Sequence, residues 1–155
     1  MNPADIIQND AIGAALISQS VQGFCEKDKN GMPLILSCSI LPLVFHRQSC
    51  RQINGRRGDG AFYRLVEETP RIAAGLEARA KLMMPQTLDA LNLGMTSGII
   101  RIQPESCCLL ADSFKIPVKF SNNKVSQKMR AANKLGNWFA VVGVAQVCAW
   151  LNLRM

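Results

Sequence analysis

Twenty residues near the C-terminus, Ser121 to Ala140 (SNNKVSQKMRAANKLGNWFA), constrain the chain more than any other stretch. Ser121 is suited to cap a helix, its hydroxyl accepting from an unpaired N–H of the first turn. Val125, Met129, Ala132 and Phe139 then recur at helical spacing on one face, so the helix has to dock on something apolar. Lys124, Lys128, Arg130 and Lys134 ride on the same helix without an acidic neighbour. At about 100° per residue they make no single stripe: the first pair flanks the apolar face on one side, the second pair on the other. Two uses fit such a helix, a solvated rim around a docked face or a surface turned to a polyanion.

The distribution of charge bears on that choice. All 11 acidic residues lie at or before Asp112, and beyond it every charged side chain is basic, so the formal net charge of +7 belongs to the last quarter of the chain. A one-sided distribution points to an anionic partner better than net charge alone. The candidate contact residues are Lys115, Lys119, Lys124, Lys128, Arg130 and Lys134, joined by Arg47, Arg51, Arg56 and Arg57 from an earlier basic stretch. Nucleic acid and an acidic protein surface satisfy this pattern equally.

At 155 residues the chain is expected to form one domain over 1–155, large enough for a core without staples. Its mean hydropathy of +0.09 is high for a lone monomer and implies apolar surface that meets a partner. The apolar run from Met32 to Phe45 is shorter than the roughly 20 residues of a membrane span and is broken by Ser37, Ser39 and Pro42. With no basic-then-apolar leader at its start, the chain is expected in the cytoplasm and away from membranes. The six cysteines form no CxxC pair, and one histidine makes a Cys/His metal centre a poor fit. Most are expected to be small buried hydrophobes.

The expected fold is mainly α with a small β-hairpin. Asn2-Pro3 opens a short turn, and Asn9 or Asp10 caps the first substantial helix, with Ile12, Ala15, Leu16, Val21 and Phe24 inward. KDKNG (Lys27 to Gly31) is a turn. Pro33 starts an apolar helix that Pro42 should kink or split. Ala61 to Glu68 is amphipathic, with Phe62, Leu65 and Val66 inward. Thr69-Pro70 starts a helix spaced by Ile72, Leu76, Ala80 and Met83, and Pro85 starts another with Leu88, Leu91 and Met95 on one side. Two β-rich runs, IIRIQ and SCCLLA, meet at a turn as a hairpin. Helix, tight turn, helix and hairpin over about 70–111 is the order of a winged helix-turn-helix unit. Basic C-terminal helices occupy about 121–153, the last opened by Gly143.

No catalytic constellation stands out. GxxxxGK[ST], the dinucleotide fingerprint, HExxH and GxSxG are all absent. His46, the single histidine, reads as structural or interfacial, because no nucleophile stands near it in sequence. Ser37 and Ser39 read as helix residues bonded to the preceding turn. The carboxylates are scattered, so a metal-dependent nuclease site is not expected. The chain reads as a non-enzyme without a cofactor.

Four stretches do resemble a known family. An Asn-led first helix (NDAIGAALISQSVQGF) is followed by a Leu-Pro-Leu-x-x-His step containing Leu41, Pro42 and His46. Then come Ala-Ala-x-x-Leu-Gly-x-Trp-Phe-Ala, containing Leu135, Gly136, Trp138 and Phe139, and an apolar C-terminal helix. In this order they resemble the middle components of bacterial three-component ABC-ATPase systems, the group that includes the small subunit of Lamassu-type antiviral defence. The chain departs from that pattern at Asn137, where a basic residue is usual, and at Asp10. The resemblance implies a non-catalytic adaptor joining an SMC/Rad50-like ATPase to an effector nuclease, with double-stranded DNA as a further candidate partner. The competing reading is a free-standing winged-helix transcriptional regulator. Its recognition helix would be PQTLDALNLG, which has no Arg or Lys and carries Asp89, a poor reader of base edges.

Overall fold

The computed structural model describes residues 3–111 and 123–153. Helix α1 (Pro3–Lys27) is the axis of the molecule. A two-residue strand β1 (Met32–Pro33) leads into α2 (Leu34–Val44) and α3 (Arg47–Asn54). Next come α4 (Ala61–Glu68), a single 3-10 turn (Pro70–Ile72), α5 (Leu76–Leu82) and α6 (Met84–Thr96). The hairpin β2 (Arg101–Gln103) and β3 (Cys108–Leu110) precedes α7 (Asn123–Val142) and α8 (Val144–Trp150). The fold is thus mainly α with a small antiparallel sheet.

The basic amphipathic helix α7 docks along α1, and this is the most extensive helix pair of the fold. The expected Ser121 cap lies outside the described residues. Ala131, Ala132, Leu135, Trp138 and Phe139 of α7 are buried, as are Leu16, Ile17, Val21 and Phe24 of α1. The seam is narrow because small residues meet in it: a methyl group on Gly23 would lie 3.2 Å from the Asn137 nitrogen, and one on Gly136 would lie 2.9 Å from the Phe24 nitrogen. Asparagines on α7 fasten it. Asn137 Nδ2 donates to the Gly23 carbonyl (3.2 Å) and to Glu26 Oε2 (3.2 Å), and Asn133 Nδ2 donates to the Gln19 carbonyl (3.4 Å).

Several sequence expectations are corrected. Neither Asn9 nor Asp10 starts a helix; both lie inside α1, which runs unbroken from Pro3. Interior Asn and Asp each cost well under about 1 kcal/mol, which a docked 25-residue helix absorbs. Pro42 sits within α2, and the break falls later, at Phe45 and His46, where α3 takes a new cap. The Phe45 N–H still reaches the Leu41 carbonyl at 2.9 Å, so the proline removes one donor without ending the turn. The helix expected from Pro70 is interrupted at Gly75, whose φ of 75° is a left-handed conformation open to glycine at little cost. Ile72, Leu76 and Ala80 are nevertheless buried, as their spacing requires.

Helix α6 turns a different face inward from the one its leucines mark. Leu88 and Met95 are exposed, while Thr87, Ala90, Leu91 and Gly94 are buried. The reason is close approach. A methyl on Gly13 of α1 would come within 3.0 Å of Ala90 Cβ, and Ile100 fills the space over Gly94. Small residues let two helices meet at a separation that large ones prevent.

The hairpin pairs as expected (Arg101↔Leu110, Ile102↔Leu109, Gln103↔Cys108). Strand β1 was not anticipated. Its Met32 and Pro33 pair with Leu109 and Cys108, giving the order β1-β3-β2. Two residues are too few to show an alternation. The six cysteines are all free, and the expectation that most are buried is corrected: Cys50 alone is buried, four are partly exposed, and Cys107 is exposed at the hairpin turn. Among the described residues no helix is long and apolar enough to cross a membrane.

Candidate functional site

The break after α2 leads into a basic feature of the surface. His46 caps α3 with its imidazole: Nδ1 accepts from the Ser49 N–H (3.4 Å) and pairs with Ser49 Oγ (2.7 Å). From this cap α3 runs toward the first half of α7 and is tied to it by Asn54, whose Nδ2 donates to the Gln127 carbonyl at 3.0 Å. A cleft of about 700 Å³ opens between the two helices. Its apolar lining is Val44, Phe45 and Cys50, and its basic lining is Arg47 and Arg51 from α3 with Lys124, Lys128 and Arg130 from α7. Among the described residues no carboxylate lines it. Burial pushes the Cys50 thiol up, an effect the Lys128 ammonium opposes.

The structure sorts the candidate residues by role. Arg47, Arg51, Lys124, Lys128 and Arg130 share the cleft, although helical spacing alone sets Lys124 and Lys128 on the opposite flank of α7 from Arg130. Docking of α3 beside that half of α7 brings them together. Lys134 has a structural job: its Nζ donates to the carbonyls of Asn54 (3.0 Å) and Arg56 (2.9 Å), closing the C-terminal end of α3. Burial, then the nearby Arg57 and Arg130, lower its pKa. Arg56 is held by Glu68 at 2.8 Å, and Arg57 is exposed on the loop beyond the cleft. Lys115 and Lys119 lie outside the described residues. Leu41, Pro42, Leu135, Gly136, Trp138 and Phe139 are buried in the fold.

Sequence reading missed the cleft's apolar lining. Phe45 and Cys50 look there like ordinary core residues, and only the gap between α3 and α7 leaves them lining an opening. Thiol and carboxylate clusters offer nothing comparable: among the described residues no group of three or more His, Cys, Asp or Glu could hold a metal ion.

The ABC-three component (ABC-3C) system Middle Component 3 family model matches residues 3–155. The chain belongs to this family. No curated protein and no solved structure matches it. As a middle component of a multi-component ABC system the chain works among partner proteins, in keeping with its apolar surface. Leu82, Leu88, Leu93 and Met95 stand exposed on α5 and α6, with Ile102 on β2. The α6 surface of this middle component also exposes Asp89 and carries no cation.

His46 gives the middle component a pH-dependent contact at the start of α3. Burial holds the imidazole below its ordinary pKa, and Arg79, whose Nε and Nη2 are buried without an acceptor among the described residues, adds to the effect. The cap demands the same protonation state, since a protonated Nδ1 cannot accept from Ser49. The folded pKa is therefore lower than the unfolded one. The stability is complete above the unfolded value, about 6.5, and is lost as the pH falls from there through the lower folded value. Because His46 is the single histidine, thermal unfolding at pH 7.5 and 5.5 should show a loss that His46→Asn removes, asparagine being a cap that does not titrate. Equal pH dependence in the two proteins would assign the loss elsewhere.

Proposed function

We propose that this middle component is a non-catalytic adaptor that joins an SMC/Rad50-like ATPase to an effector nuclease in a Lamassu-type antiviral system, with its basic cleft turned to DNA. The observation that carries the reading is the cleft itself: five cations from two helices and, among the described residues, no carboxylate, on a family member that works in a multi-component ABC system. Side chains of this kind bind phosphates and raise affinity without reading sequence. Exposed apolar side chains on α5, α6 and β2 supply a separate surface for protein contacts. The absence of nucleotide-binding and acidic motifs in the sequence supports a supporting rather than a catalytic part.

Co-expression with the neighbouring ATPase and effector genes tests the reading. A stable complex should form, and the chain alone should neither hydrolyse ATP nor cut DNA. Changing Arg47, Arg51, Lys128 and Arg130 together to Gln should leave assembly intact and weaken DNA binding by the complex. The log-log salt slope should flatten by about 0.9 for each duplex phosphate contact removed. Intact assembly with an unchanged slope would mean that the cleft does not meet DNA. Loss of assembly, with the free subunits still folded, would assign the cleft to an acidic protein partner.

A further inference from the structure

We infer that the cleft between α3 and α7 seats a nucleotide unit of an unpaired strand, with phosphates on its basic lining and a base against Phe45. The inference rests on the reading that this face meets DNA, and it names the form of DNA. A duplex presents its phosphates outward and keeps its bases stacked, so it would meet Arg47, Arg51, Lys124 and Arg130 and leave the apolar part of the cleft uncovered. A nucleotide unit uses both parts. The volume of about 700 Å³ falls within the range of sites that enclose small ligands.

Phe45 is half-buried where α2 ends and lines the cleft with Val44 and Cys50. An aromatic face in a basic groove is the usual means of holding single strands, because every base has a π-face and stacking needs no particular sequence. Arg47 and Arg51 sit one helical turn apart, as do Lys124 and Lys128, which sets two rows of cations along the same opening. Three of the five cations are arginines, whose planar forks bind phosphate through two hydrogen bonds. The remaining side chains of the lining are amides, Asn54 and Gln127. An acidic peptide would satisfy the cations, but it has no comparable use for an aromatic lining flanked by amides.

Fluorescence anisotropy on the full chain tests this with a labelled oligo-dT, a duplex of the same length, free dTMP and a poly-Glu peptide. The single strand should bind more tightly than the duplex at equal salt, and dTMP should compete weakly, since it offers one phosphate. Phe45→Leu keeps an apolar side chain but removes the stacking surface, and should weaken the single strand roughly 5- to 150-fold with little change for the duplex. Arg51→Gln, at an exposed position, should flatten the single-strand salt slope by about 0.7. If Phe45→Leu melts well below the parent, the strand-to-duplex ratio and the Arg51→Gln slope decide. A duplex bound as tightly as the strand overturns the inference, as does poly-Glu of equal charge displacing the strand at lower concentration than unlabelled oligo-dT. If these variants still assemble with the ATPase while the strand is not held, the adaptor reading stands and this inference falls. If the strand is held but no complex forms with the ATPase, the inference stands and the adaptor reading falls.

Discussion

Gly136→Ala should destabilise the protein by about 3 kcal/mol or more, at the upper end of what overpacking costs. Most overpacked sites relax because a neighbouring side chain rotates. Here the new methyl would fall on the Ser20 carbonyl oxygen of α1, 2.7 Å from its carbon and 2.9 Å from the Phe24 nitrogen. Backbone cannot rotate away, so α1 and α7 would have to separate along their whole seam. That would loosen the Asn133 and Asn137 bonds and uncover Ala132 and Leu135. At this chain length such a loss lowers the melting temperature by roughly 6–12 °C. Gly60→Ala is the control: nothing lies within 4 Å of its added methyl, and its φ of −84° suits any residue, so it should melt close to the parent. A Gly136→Ala protein that also melts like the parent would mean that the two helices do not cross so closely.

Phe139→Ala is the second large effect, at about 3–5 kcal/mol for the truncation of a buried aromatic. The ring is fully buried and meets Phe62 edge to face, with centroids 5.4 Å apart and planes at 77°. Phe62 in turn lies 6.3 Å from Trp138 and 5.8 Å from Trp150, so one ring of α4 gathers aromatics from α7 and α8. Removing Phe139 leaves a cavity that this cluster fills only by moving three elements. The variant is expected to be insoluble, or soluble only with partner proteins. A double-mutant cycle with Phe62→Ala should show a coupling of about 0.5–1.5 kcal/mol from the ring pair. A soluble Phe139→Ala protein with an unchanged melting temperature would show that the ring is not in the core.

These two residues stand at different distances from what sequence reading reaches. Phe139 follows from the helical spacing of Val125, Met129 and Ala132, because a recurring apolar face has to be covered whatever covers it. Gly136 stands out in sequence only as part of the family resemblance. That it touches α1 backbone at Ser20, and that Gly23 answers it from the other helix, depends on which helices cross and where. The same holds for α6. Its leucines suggest a core face through Leu88 and Met95, yet the helix buries Ala90 and Gly94, because the approach to Gly13 rewards small size over apolar area.

By itself the sequence determined the helical class, the hairpin, the extents of α4 and α8 to within a residue or three, and the gathering of positive charge toward the C-terminus. Periodicity and turn residues are local, and local signals survive without knowledge of neighbours. Its family membership was legible too, since order and spacing of short apolar motifs persist in the linear chain. Only the tertiary structure decided where the cations lie and what they touch. Lys128 and Lys134 lie six residues apart on one helix and look alike in the sequence, but the docking of α3 beside α7 leaves the first lining an open cleft and turns the second onto the carbonyls of Asn54 and Arg56. A charge's role depends on the acceptors brought within about 3 Å of it, and those come from residues 78 and 80 positions away.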